Sequence, residues 1–253
     1  MKRAELHRKI RKSHRYLGVA LGVQFLFWTL GGLYFSWSDL DDVHGDHQKA
    51  HIHPVDGNVQ LASLADVLQK LKAKDTINFI FDTHLIQVLG EPVYQITYSK
   101  EHDRGKKIQL ANAVSGELRP ALNKTEAVQV AQRNFTDDAK VKSVEYLTTT
   151  NGHHEYREEP LPAFAITFDH PSNTTVYVST ELGTVQKFRN NKWRIFDFLW
   201  MMHTMDYQTR NHFGNGLLRA FSIFGLLTIS SGFWLFFLSR KKKITPQTSP
   251  SNR

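Results

Sequence analysis

Histidines are the side chains of this chain with the clearest capacity for chemistry, because cysteine is absent and no motif of a serine hydrolase, a zinc peptidase or a phosphate-binding loop is present. Four histidines crowd the segment 39–58, namely His44, His47, His51 and His53, with Asp46 among them and Asp39, Asp41 and Asp42 just before. Imidazoles and carboxylates at short spacing can bind zinc, copper or iron. The segment is therefore a candidate metal site, and without a fixed ligand motif it also fits a solvated, flexible tether.

Another histidine interrupts an apolar helical face in the segment 192–215. Five residues share that face at helical spacing: Phe196, Leu199, Trp200, His203 and Tyr207. The face predicts either a ligand site at His203 or an amphipathic helix at the membrane interface, where tryptophan is enriched. His212 follows nine residues later, as a second ligand or a contact with lipid headgroups.

Two apolar stretches, 16–38 and 216–239, must position these histidines. Each has about the ~20 residues that a helix needs to cross a hydrocarbon core. No small-residue cleavage pattern follows the first stretch, so we expect an uncleaved anchor. Because positively charged flanks stay in the cytoplasm, we predict a bacterial inner-membrane protein with two spans, both termini cytoplasmic and the central region periplasmic.

The charge distribution supports this topology. The two predicted tails, 1–15 and 240–253, hold twelve of the 32 lysines and arginines and one acid, so the remainder of the +8 chain carries −3. A nucleic-acid-binding protein carries its basic patch on the folded domain. We therefore expect membrane lipid, and no nucleic acid, as the partner of the basic residues.

The region between the spans contains a repeat. Two segments 70 residues apart, 92–98 and 162–168, alternate apolar and polar residues in the pattern of half-buried strands. Each copy is followed by a second strand pattern and a glycine, at 107–111 with Gly116 and at 175–179 with Gly183. The glycine supplies the positive φ that a tight turn requires.

A helical pattern precedes each copy of the repeat. Ser63 and Asn123 are the predicted N-caps, each followed three positions later by an acid. Apolar residues recur on one face of each helix: Leu64, Val67, Leu68 and Leu71 in the first, and Ala127, Val128, Ala131 and Phe135 in the second. We predict an α+β fold with tandem modules at 59–121 and 122–191, each a helix plus an antiparallel sheet, between two transmembrane helices.

The order of these elements resembles the PepSY domain, and the spans resemble the PepSY-associated transmembrane family. The motifs are His14-Arg15-Tyr16-Leu17-Gly18 with Gly31-Gly32, and His203 with Gly216-x-x-Arg219 and Ser231-Gly232-Phe233-Trp234-Leu235. The resemblance covers about residues 10–240. Larger members carry four spans, so any site built by the two extra spans must come here from a second copy or a partner, or be absent.

The resemblance implies a cofactor. Larger relatives are membrane reductases thought to use b-type haem, which makes His14, His203 and His212 the candidate axial ligands. Haem requires a neutral imidazole in an apolar slot, usually with a second axial ligand. A span of about 22 residues is ~33 Å long, so His14 and His203 lie at opposite faces and cannot share one haem. The alternative role for His14 is a contact with lipid headgroups.

A symmetric dimer would pair equivalent histidines. Gly18 and Gly22 form a small-xxx-small motif, which predicts either a homodimer surface or packing between the two spans of one chain. Gln24, a polar residue in the middle of the first span, is expected to make a hydrogen bond between helices.

Two functions follow from this resemblance. The first is a haem-dependent redox component for reduction or uptake of iron or siderophore-iron, which needs a dimer or a redox or transport partner. If the chain is an enzyme, it is an oxidoreductase subunit without a flavin or nicotinamide domain of its own. The alternative is a non-catalytic, membrane-tethered PepSY module that binds or regulates a periplasmic peptidase or transporter.

Overall fold

Two units make up the chain. The computed structural model describes residues 3–51, 54–101, 103, 105–210 and 212–239. The helical unit comprises Met1–Trp37 and Asp197–Arg253, and the sheet unit comprises Ser38–Phe196. Together they form an α+β protein with two antiparallel sheets and a long apolar helix near each end.

Two long helices dominate the helical unit, α1 (Arg3–Trp37) and α6 (Gly216–Ser239). Their segments Arg8–Trp37 and Gly216–Phe237 are long and apolar enough to cross a membrane. Large apolar side chains on both are exposed, for example Val19 at 68% and Leu226 at 66%. An apolar surface of this kind requires an apolar solvent or partner, which is consistent with a two-span membrane protein.

The helices α1 and α6 run antiparallel. His14, near the start of α1, contacts Ser231, near the end of α6. Leu21 and Trp28 of α1 line a cavity of about 240 Å³ with Phe221 and Ile229 of α6. The first turns of α1 lie within the segment 1–15, so the predicted basic tail is helical from Arg3 onward.

In the sheet unit, two similar modules each contain one helix and a four-stranded antiparallel meander. The first module consists of α3 (Leu64–Lys74), β1 (Ile77–Val88), β2 (Glu91–Lys100), β3 (Lys106–Asn112) and β4 (Leu118–Arg119). The second consists of α4 (Lys124–Asn134), β5 (Val141–Leu147), β6 (Ala163–Phe168), β7 (Thr175–Ser179) and β8 (Val185–Arg189). The sequence patterns correspond to β2, β3, β6 and β7, whereas the edge strands β1 and β5 were not predicted.

The predicted helix signals are confirmed in part. Asn123 and Glu126 form a reciprocal capping box at α4, with bonds of 2.9 and 3.0 Å. Ser63 is the N-cap of α3, as predicted, but its side chain makes no capping hydrogen bond. The apolar faces are as predicted, since Val67 and Leu71 are fully buried in the core of the first module.

One hydrophobic core joins the two modules. Val88, Val93 and Leu110 of the first module belong to the same buried cluster as Ile166 and Val178 of the second. The modules therefore fold as one unit, because neither buries this apolar surface alone.

The segment expected to be a flexible tether is folded against the sheet unit. It forms α2 (Leu40–His44) and a single 3₁₀ turn (Asp46–Gln48). Asp39 caps α2, and Gly45 ends it in a left-handed conformation close to Phe188. Backbone hydrogen bonds then fix the following residues, with the Ala50 amide donating to the Asn134 carbonyl at 2.9 Å.

Gln48 is the polar anchor of this segment. Its side chain is 1% exposed. Its amide nitrogen donates to Asp137 and to Ser172 at 3.1 Å, and its carbonyl oxygen accepts from Thr174 at 2.7 Å. The buried side-chain amide of Gln48 thus makes hydrogen bonds to two other loops. These bonds hold the segment 39–51 in place.

Replacing Gln48 with leucine should destabilise the sheet unit. Leucine has a volume similar to that of glutamine, but it makes none of the hydrogen bonds to Asp137, Ser172 and Thr174. Leaving these buried groups without a partner lowers the free energy of unfolding by about 2–3 kcal/mol. Thermal denaturation of the detergent-solubilised protein should show a Tm lowered by about 4–10 °C. Gln60→Leu, at an exposed position of the same region, is the control and should leave Tm unchanged; equal Tm values for the two variants would refute the anchor.

Candidate functional site

The two sequence motifs near the ends of the spans meet in the helical unit. His14 Nδ1 lies 2.7 Å from Ser231 Oγ, although 217 residues separate them in sequence. Gly232 is adjacent, and a Cβ there would stand 3.5 Å from His14 Cε1. The imidazole therefore lies directly against α6.

The hydrogen bonding of Ser231 determines the tautomer of His14. Ser231 Oγ donates its single hydrogen to the Thr228 carbonyl at 2.7 Å. It can then only accept from His14, so the neutral form of the imidazole would carry its hydrogen on Nδ1 and a lone pair on Nε2. Histidines that bind metals through Nε2 usually donate Nδ1–H to an oxygen in this way. His14 therefore has the hydrogen-bonding arrangement that such a ligand needs.

His203 has a different environment, an aromatic cage. Its ring centroid lies 5.8 Å from Trp28, 6.1 Å from Phe35 and 6.2 Å from Trp200, and the Trp200 ring is nearly parallel to it. Among the described residues, none offers a hydrogen bond to its buried Nδ1. The bond that would orient a metal ligand is missing.

The space beside His203 is also small. A cavity of about 270 Å³ is lined by His203 with Trp28, Trp200 and Phe213. Pockets for drug-sized ligands measure ~300–1,000 Å³, and haem is a large ligand, so the cavity of one chain does not fit haem. The structure thus gives the His14 ring a hydrogen bond that orients it and leaves the His203 Nδ1 without one.

The predicted helical face around His203 ends earlier than expected. Helix α5 (Asn191–Thr204) stops at Thr204, and Met205 has a positive φ of 53°. Tyr207 therefore lies beyond the helix and is 41% exposed. Its assignment to the same face is wrong, because the left-handed residue reverses the chain direction.

Two polar side chains of α1 fix α5 beside it. Gln24 Nε2 donates to the Met202 carbonyl at 2.7 Å, and Trp28 Nε1 donates to the His203 carbonyl at 3.0 Å. These bonds satisfy carbonyls at the end of α5 that have no partner within the helix. The expected interhelical bond of Gln24 is present.

His14 and His203 lie far apart along α1. His203 packs between Trp28 and Phe35, at least 14 residues beyond His14. At ~1.5 Å per residue the separation is about 21 Å or more. This distance agrees with the expectation that the two histidines cannot share one haem.

The connection between α5 and α6 is organised by Asp206, whose side chain is 6% exposed. Oδ1 accepts from the amides of Gln208 and Thr209, and Oδ2 accepts from the Thr209 hydroxyl and the His212 amide. Burial alone would raise the pKa of Asp206, but these hydrogen bonds hold that pKa well below its ordinary value. His212 is exposed, and its backbone serves this loop.

The histidines of the folded tether are dispersed. His44 and His51 are exposed, and His47 pairs with Asp42 at 3.2 Å. His53 lies outside the described residues. In the described part of the chain, no three histidine or acidic side chains come together to hold a metal ion, and the predicted metal site stays a prediction.

The sequence alone does not identify two residues of this site, Ser231 and Asp206. Ser231 was noted only as part of a motif, and nothing local links it to His14. Asp206 looks like an ordinary loop acid, although Asp followed by Thr three positions later is a weak turn signal.

Comparisons with protein-family models, with curated proteins and with solved structures find no match to this chain. The fold itself gives the class: an α+β protein with two antiparallel sheets and two helices long and apolar enough to span a membrane.

Replacing Asp206 with asparagine should destabilise the protein at neutral pH and reduce its loss of stability in acid. Because the folded-state pKa is lowered from 3.8, ionised Asp206 stabilises the fold above about pH 4, and this contribution is lost as pH falls below that value. We expect a Tm lower by about 4–8 °C at pH 7, from a loss of about 2 kcal/mol.

As pH falls below about 4, the Tm difference between Asp206→Asn and the unaltered protein should narrow, since the carboxylate of the unfolded wild-type chain takes up a proton there while the folded one, with its lowered pKa, stays ionised. The control is Asp138→Asn, at an exposed position, and it should behave like the unaltered protein throughout. A Tm difference that stays constant from pH 7 to pH 3 would contradict the role of the charge.

Proposed function

We propose that this protein is a membrane-anchored redox component in which His14 is an axial ligand of b-type haem. The observation that supports this is the His14–Ser231 hydrogen bond at 2.7 Å, which leaves the Nε2 lone pair for a metal. When bound, haem would supply one-electron transfer. In the chain itself, Ser231 orients the imidazole of His14, and the apolar surfaces of α1 and α6 exclude water.

A second axial ligand must come from outside the single chain, because His203 is too distant. The symmetric solution is His14 of a second copy. Gly18 lies one helical turn beyond His14, and a Cβ added at Gly18 or Gly22 would meet nothing within 4 Å. No close approach of α6 therefore requires glycine at either position, and we take the motif as the dimer contact.

The proposed cellular setting follows from charge. The antiparallel spans put the start of α1 and the end of α6 on one side, and the basic residues in the first turns of α1 favour the cytoplasmic side of a bacterial inner membrane. The sheet unit, a tandem of PepSY-like modules, is then periplasmic. Electrons would come from a redox partner, and the proposed acceptor is iron or siderophore-iron.

A second function, a non-catalytic binding module, is favoured by the edge strand β1. Its side chains include exposed apolar residues, among them Phe79 at 61% and Phe81 at 49%. An exposed, apolar edge strand can accept another strand by main-chain pairing. In this case the sheet unit would bind or regulate a periplasmic peptidase or transporter, and the spans would serve as anchors.

The visible spectrum of detergent-purified protein tests the haem ligand. After reconstitution with haem we expect a Soret band that His14→Ala abolishes, and Ser231→Ala should weaken haem affinity about 10–100-fold. His84→Ala, at an exposed position of β1, should keep the band. If no variant or wild-type sample shows a Soret band, and the protein instead captures a periplasmic peptidase or transporter regardless of His203→Ala, the binding module is the correct function.

Light scattering in detergent tests the dimer. Gly18→Leu should convert a dimer to a monomer and remove the Soret band, because a bulky side chain separates the two α1 helices. Gly32→Leu is a matched control, since Gly32 also has open space around it in one chain but lies far from His14. Equal dimer fractions in both variants would refute the Gly18 surface.

A further inference from the structure

A second candidate binding site lies in the sheet unit, separate from the histidines of the helical unit. It is a cavity of about 370 Å³ where the β1–β2 turn, the last turn of α4 and the β7–β8 turn converge. Ten residues line it: His51, Gln87, Leu89, Gly90, Val130, Arg133, Asn134, Gly183, Thr184 and Val185. Its volume falls within the ~300–1,000 Å³ typical of small-molecule sites.

The walls of this cavity are fixed to each other. Gln95 of β2 donates to the Leu182 carbonyl at 2.7 Å, joining the two modules. Gly183 has a φ of +74°, and a Cβ there would stand 3.1 Å from Leu110 and 3.2 Å from Val88. The β7–β8 turn thus packs on the first sheet only because this residue is glycine. The cavity is preformed rather than induced.

Arg133 is the charged group of the cavity. Among the described residues it makes no ion pair and no hydrogen bond. Gly90 leaves room for it, since a Cβ there would stand 3.0 Å from Arg133 Nη1, at a φ of +88°. Gly90 and Gly183 thus shape a cavity in which the guanidinium of Arg133 can bind a ligand.

The rest of the lining limits the ligand chemistry. Among the residues that the structure describes, no acidic side chain lines the cavity, so none of them neutralises the charge of Arg133 there. Gln87, Asn134 and Thr184 supply neutral polar groups. Leu89, Val130 and Val185 supply an aliphatic surface.

From this combination we propose that the cavity binds a carboxylate that carries a short aliphatic group. The guanidinium would hold the carboxylate through two parallel hydrogen bonds, and the aliphatic group would lie on the apolar wall. The same chemistry occurs in a free branched-chain acid and in the C-terminal residue of a peptide. The two sources differ in the amide next to the carboxylate, which Gln87 and Asn134 could bind in the peptide alone.

Isothermal titration calorimetry of the full-length, detergent-solubilised protein tests the site with three probes. The free acid is 4-methylpentanoate, the peptide C-terminus is represented by N-acetyl-leucine, and N-acetyl-leucinamide is the neutral control. We expect a carboxylate probe to bind with a Kd of about 1 mM or tighter and the amide not to bind. Tighter binding of N-acetyl-leucine than of the free acid assigns the site to peptide ends, and the reverse assigns it to free acids.

Arg133→Gln should weaken binding of the carboxylate at least about 10-fold. Arg133→Lys should weaken it less, because lysine keeps the positive charge but lacks the two parallel N–H donors of the guanidinium. Lys142→Gln removes an exposed charge of the same unit outside the cavity and should bind as the unaltered protein does. The proposal is overturned if neither carboxylate binds, if the amide binds equally well, or if Arg133→Gln binds with unchanged affinity. These outcomes are independent of the haem spectrum.

Discussion

Polar groups on an apolar helix must find partners within the protein, and α1 meets this constraint with three side chains. His14 bonds to Ser231 of α6, and Gln24 and Trp28 bond to carbonyls at the end of α5. In an apolar solvent an unpaired polar group costs several kcal/mol, so these contacts hold the arrangement of the helical unit. The same contacts give His14 a defined tautomer and enclose His203 among aromatic rings. The proposed chemistry of the unit is thus a consequence of how α1 satisfies its own polar residues.

The sheet unit follows a different rule, the burial of apolar surface between two similar modules. Each module has its own helix and meander, yet the largest core cluster draws residues from both. Packing at this junction requires glycine at the β7–β8 turn, because a side chain there would meet Leu110 and Val88. The junction also leaves the cavity with Arg133. A repeat that duplicates a structural module has here created a site that neither copy contains.

The tether, residues 39–58, shows why composition alone does not tell whether a segment is flexible or folded. Its histidines, aspartates and short length are typical of a solvated linker, and no periodic apolar pattern marks it. In the fold, Val43 is buried and Gln48 bonds to three loop residues far away in sequence. Those partners, Asp137, Ser172 and Thr174, cannot be identified from the segment itself. The edge strands β1 and β5 were missed for a related reason, since their exposed faces blur the alternation that identifies half-buried strands.

The sequence by itself determined the two apolar helices, the helix-plus-strand repeat, the Asn123 cap and the glycine turns, because each depends on residues within one helix turn or one hairpin. Only the tertiary structure decided which histidine ring is oriented by a hydrogen bond. The partner of His14 is 217 residues away, and the cage around His203 comes from α1 and α5 together. It also decided that a Cβ at Gly18 or Gly22 would meet no other atom within 4 Å. A local pattern specifies an element and its faces, but what each face meets depends on how distant elements pack.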